Sequence, residues 1–115
     1  MAINFATTTP KTLLSAFKKA IDDGHVVTWS YDPDGDFTHT TEQWKDQAWM
    51  RPAVYNDQLT MNFIINPETD KSPRYLYGVF HGRFIESMLV HCDRLFSRAS
   101  ATALATNADQ VATSA

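Results

Sequence analysis

The stretch from Val79 to Ala99 constrains the fold of this chain more than any other, because its apolar residues recur at helical spacing. Phe84, Ile85, Met88, Leu89, Cys92, Leu95, Phe96 and Ala99 fall within one half of a helix circumference at about 100° per residue, and Arg83, Glu86, Asp93, Arg94 and Ser97 lie opposite. A helix carrying such a stripe must rest on an apolar surface. The periodicity therefore predicts one long closing helix over 79–99. Its start is ambiguous: Ser72-Pro73 has helix-start chemistry, whereas Tyr75, Leu76 and Tyr77 suit a strand and Gly78 weakens a helix. The favoured reading begins the helix at Ser72 or Pro73.

Thr9-Pro10-Lys11-Thr12 starts an earlier helix, since a threonine hydroxyl can cap free amides and proline in the first turn loses no needed donor. That helix runs to about Asp23, with Leu13, Leu14, Phe17, Ala20 and Ile21 on one side, and Gly24 ends it. From His25 the period changes to two. Val27, Trp29 and Tyr31 alternate with Val26, Thr28 and Ser30, and Asp32-Pro33-Asp34-Gly35-Asp36 turns the chain back into a second strand over Phe37–Thr41. Ala48–Tyr55 reads as a third strand, with Pro52 pointing to an edge position or a bulge. Leu59, Met61, Phe63 and Ile65 mark a fourth.

The order α-β-β-β-β-α implies an α+β fold: an antiparallel sheet of about four strands, with an N-terminal and a long C-terminal helix packed on one face. Val27, Trp29, Leu59, Met61 and Phe63 are expected to face the helices, leaving Thr28, Ser30, Thr60 and Asn62 toward water. Residues 1–8 read as a loose N-terminal segment, with the alternative that Ile3 and Phe5 add a short strand or pack on the core, 9–99 as a single domain, and 100–115 as a disordered tail with Leu104 and Val111 as its only large apolar residues.

Composition narrows the functional classes. The 115-residue chain has a formal charge of −3, so it lacks the overall positive field that holds a phosphate backbone, and nucleic-acid binding is disfavoured. Its apolar runs fall far short of the ~20 residues needed to cross a bilayer. Cys92 is the single cysteine, which excludes an intrachain disulfide and a cysteine-cluster zinc site, and a reducing cytoplasm is the expected compartment. No cofactor is implied.

Among polar residues His81 stands out, because its helical angle falls in the middle of the stripe formed by Ile85, Met88 and Cys92. It is either an imidazole that binds a ligand or shuttles a proton at the helix–sheet boundary, or, on the heavier weighting, a core-edge histidine bonded to a backbone carbonyl. Cys92 reads as buried and inert. His25, His39, His81 and His91 have no metal-ligand spacing, and the Asp32–Asp36 turn fails as a calcium loop because Phe37 and Gln43 stand where a glycine and a bidentate glutamate are required. Trp49, Arg51 and Tyr55 share one face of the third strand. With Met50 and Val54 toward the helices they form an aromatic–arginine group on the open sheet face; a one-residue slip puts the two aromatics in the core, and the two registers stand equal.

These residues lead to three functional expectations. The first is a non-catalytic interaction module that binds a protein partner or itself through the open sheet face or an edge strand. The second is a small-molecule binder or enzyme with a pocket between the last helix and the sheet, His81 at its mouth and Arg83 as an anion contact. The third, single-stranded nucleic-acid binding by sheet aromatics, is weakened by the acidic balance.

Overall fold

In the computed structural model, which describes residues 2–104 and Asp109, helix α1 (Pro10–Asp22) has the expected bounds, with proline in its first turn, but the Thr9 hydroxyl makes no capping hydrogen bond. Leu13 and Phe17 are fully buried on its inner side, and Gly24 leaves it with a φ of +80°. The amides of His25 and Val26 then return to the Ala20 carbonyl at 2.9 and 3.1 Å. Residues 26–28 are therefore not strand and the expected alternation fails there, although Trp29 is buried as expected. Val26 is buried and Val27 is 74% exposed, so Val27 does not face the helices as its period-two position suggested.

Strands β2 (Trp29–Tyr31) and β3 (Phe37–His39) form the expected hairpin, and the Asp32 carboxylate closes its turn by accepting the amides of Asp34 and Asp36, both at 3.0 Å. Strands β4 (Ala48–Val54) and β5 (Gln58–Ile65) follow and pair along their full length. Pro52 sits in β4, which is interior in the strand order. Yet β3 pairs with β4 only at Phe37 and Met50, so at Pro52 the outer edge of β4 carries no strand and no ladder bond is lost.

The sheet has six antiparallel strands rather than about four. Residues Ala2–Ala6, expected to be loose, form β1 and pair with β5; Ile3 and Phe5 are fully buried, so these two alternating side chains are enough to fix the segment. The second correction concerns the closing helix. Helix α2 (Pro73–Cys92) stops at the Asp93 cap, and the chain turns so that the Leu95 amide bonds the Cys92 carbonyl at 3.0 Å and the Ser97 amide bonds the Ala6 carbonyl at 2.8 Å. Strand β6 (Arg98–Ala101) then pairs with the outer edge of β1, giving the order β2-β3-β4-β5-β1-β6.

Leu95, Phe96 and Ala99 thus reach the core from a turn and a strand, although their spacing matches a helix. Phe96 meets the Phe5 ring edge-on at 5.1 Å, and satisfying the free edge of β1 outweighs two more helical turns. Residues 100 and 101 of the expected tail belong to β6; 105–108 and 110–115 lie outside the described residues.

Both helices pack on one face. Phe84 of α2 lies 5.0–6.1 Å from the rings of Phe5, Phe17, Trp29 and Phe37, so one side chain ties both helices to three strands. On the other face, among the described residues, no helix lies over Asn4, Thr60, Asn62, Trp49 and Arg51, yet Thr60 and Asn62, expected to face water, are each only 6% exposed because neighbouring side chains of the sheet cover them.

Candidate functional site

The outer side of α2 departs from the usual surface helix, whose solvent face is charged. Leu76, Phe80, His81, Phe84, Met88 and Cys92 turn inward and are buried. Leu89, which helical spacing assigned to that stripe, is instead 51% exposed, together with Tyr75 at 63% and Val90 at 68%. Gly78 and Gly82 lie exposed between them, one turn apart, and a Cβ added at either would meet no atom within 4 Å. Apolar side chains therefore occupy both sides of the helix.

At the start of α2 this outer side becomes concave. Trp44 is presented by the turn between β3 and β4, which is closed by amide bonds from Trp44 to Thr41 at 2.9 Å and from Gln47 to Trp44 at 3.1 Å. Its ring lies 5.6 Å from that of Tyr75, and the Lys71 ammonium sits 5.5 Å from its centroid, within cation–π range. Trp44, Lys71, Arg74, Tyr75, Gly78 and Val79 line a cleft of about 690 Å³. Arg83 lines a second cleft of about 470 Å³ on the other side of Trp44, with Thr41, Glu42 and Gln43.

His39 lies beneath this turn and is only 1% exposed. Its Nδ1 accepts from the Thr41 hydroxyl at 2.9 Å and from the Thr41 amide at 3.4 Å, which places the ring proton on Nε2. Burial lowers its pKa from the ordinary 6.5 and the Arg83 guanidinium lowers it further, against an opposing pull from Glu86. A neutral imidazole two residues from its hydroxyl partner holds the start of the Trp44 turn in place.

The residues singled out in the sequence fall at several separate places. His81 is 3% exposed; its Nδ1–H donates to the Tyr77 carbonyl at 2.8 Å, and its ring lies 3.7 Å from that of Tyr77. It lines none of the surface clefts around Trp44 or the start of α1. With Met50 fully buried against the helices, Trp49 and Arg51 point to the open face, opposite Ile64 and Asn62. Trp49 is half-buried there, and the Arg51 guanidinium donates twice to the Asp36 carboxylate, at 3.1 and 2.9 Å.

Tyr55, 52% exposed, follows the last residue of β4 and lines a cleft with Thr8, Lys11 and Asn56 at the start of α1, away from Trp49. Cys92 is buried, and that burial raises its thiol pKa. Among the described residues no group of three His, Cys, Asp or Glu side chains is placed to hold a metal, and no helix is long and apolar enough to cross a membrane.

Trp44, Lys71, Tyr75, Leu89 and Val90 were not singled out from the sequence. The available signal was the set of apolar residues left over on α2 once its inner stripe is assigned, together with two glycines that nothing inside the chain requires. Comparison with known proteins adds no family: no family model, no curated protein and no solved structure matches this chain.

Proposed function

We propose that this chain is a non-catalytic interaction module that holds another polypeptide against the outer side of α2, with the Trp44 cleft as the anchoring end. The observation that carries this reading is the exposure of Tyr75, Leu89 and Val90 on a helix whose opposite side already supplies the core. Exposed apolar surface of this kind is stabilised by a partner that removes it from water, and Trp, Tyr and Arg are the residues most often dominant in such contacts.

The open sheet face is less suited to the task. Its polar groups are already engaged with one another: the Thr60 hydroxyl donates to Asn4 at 2.8 Å, Gln58 donates to Thr60 at 3.0 Å, and Arg51 is held by Asp36. Trp49 remains there as the single large aromatic, without the Tyr55 neighbour that the sequence placed beside it.

The test compares a tagged chain with its Leu89→Glu/Val90→Glu variant. Both side chains are exposed, so the variant should unfold at the same urea concentration as the parent. The parent is expected to retain a protein partner or an untagged copy of itself through washing, and the variant to retain neither. Equal retention by two equally stable chains would overturn the reading.

A further inference from the structure

Resting on that reading, we infer that the occupant of the α2 surface is a second copy of this chain, docked antiparallel about a two-fold axis at Gly82. The outer line of the helix is self-complementary when reversed. Counting outward from Gly82, it meets Gly78 and Glu86 at four residues, Tyr75 and Leu89 at seven, and Lys71 and Asp93 at eleven. Steps of four and three residues keep Gly78, Glu86, Tyr75 and Leu89 on the Gly82 side of α2, whereas Lys71 precedes the helix by two residues and reaches this side through its contact with Trp44 beside Tyr75, and Asp93 caps the far end.

Reversal about Gly82 sets Lys71 of one copy against Asp93 of the other, and Tyr75 against Leu89. Glu86 lies over Gly78, where no Cβ stands in the way of its stem. Gly82 meets itself, which lets the two backbones approach closely. Charge at the ends of the outer line favours an antiparallel over a parallel arrangement: Lys71 just before α2 and Arg74 in its first turn are basic, while Glu86 in its second half and Asp93 at its cap are acidic, with Arg83 and Arg94 to the side of that line.

The cleft and the protrusion also match. Trp44, Tyr75 and Val79 form the concave end, and Leu89 and Val90 of the second copy arrive there, with Asp93 beside the Lys71 ammonium. Because the surface is self-complementary, the contact closes on itself and each copy supplies one cleft and one protrusion. The buried strip is about 30 Å long, the length of a twenty-residue helix. A contact confined to one helix face is small for a stable interface, so association that depends on concentration is expected.

Sedimentation of the full chain over a range of concentrations tests this. A species of twice 13.0 kDa is expected to build up with concentration. Lys71→Glu alone and Asp93→Lys alone should each weaken self-association by about fivefold or more, since each places like charges at both ends of the pair. An equimolar mixture of the two variants should associate as well as the parent, because the mixed dimer restores both opposite-charge contacts. A chain that stays monomeric, single variants without effect, or a mixture that fails to recover would each overturn the inference. If the chain is monomeric but Leu89→Glu/Val90→Glu still abolishes capture of another protein, the two-fold dimer is excluded and the interaction module stands.

Discussion

At the scale of the residue, His39 shows how burial sets chemistry. Its folded pKa lies below 6.5 because the ring is enclosed by Trp29 and Phe80 and faces the Arg83 charge. The unfolded chain therefore binds a proton more readily than the folded one. The sign follows: the stabilisation from a neutral His39 is complete above the unfolded value and is lost as pH falls through 6.5 toward the lower folded value. His39→Gln keeps an acceptor for Thr41 and removes the titration. Urea midpoints measured between about pH 7 and 5 should fall less steeply in this variant than in the parent, whereas equal slopes would remove His39 from the account. The sequence alone ranked His81 above His39, since only His81 sat on a recognisable stripe. The burial of His39 depends on Trp29 in a neighbouring strand and Phe80 in a distant helix, which no local pattern records.

At the scale of the element, segments with a long apolar period or a strong turn signal were readable, including the three-residue β2 and β3 on either side of the Asp32–Asp36 turn, whereas the strands at the two ends of the chain were not placed. α1, β4 and β5 follow from their apolar spacing, but β1 and β6 have five and four residues, and β6 consists of Arg, Ala, Ser and Ala. Its place is set by the free edge of β1 rather than by its own composition. The same limit applies to α2, where the pattern located an inner stripe correctly from Phe84 to Met88 but ran on through Leu95, Phe96 and Ala99 into a turn and a strand. The glycines of α2 provide a prediction at this scale. Alanine at Gly78 or Gly82 meets no atom of the chain, so each substitution should raise the stability of the isolated fold by up to about 1 kcal/mol. The added methyl at Gly82 should at the same time weaken self-association, because it holds the two backbones apart. Calorimetry at low concentration and sedimentation at high concentration separate the two effects; a variant improved in both would show that the glycines serve no contact.

At the scale of the whole molecule, one sheet face carries both helices, and α2 forms an outer ridge on a body measuring 40 × 29 × 23 Å. The inner side of that helix supplies the residue at the centre of the core, Phe84, while its outer side carries Tyr75, Leu89 and Val90 into solvent. The two-sided character is why the fold could be anticipated from α2 while the candidate surface could not: an apolar residue on a helix is assigned to the core by default, and Leu89 was. The central claim is that this outer side is closed by a second copy about Gly82, and cross-linking tests it most directly. With Cys92 replaced by alanine, a Gly82→Cys chain has one thiol on the proposed axis, where two helices in contact bring Cα atoms within the about 4.4–6.8 Å that a disulfide spans. Mild oxidation should join these chains rapidly into a covalent dimer, while a control thiol at Val27, 74% exposed and away from α2, should give little at the same concentration. Equal cross-linking at the two positions, or none at Gly82, would contradict the account.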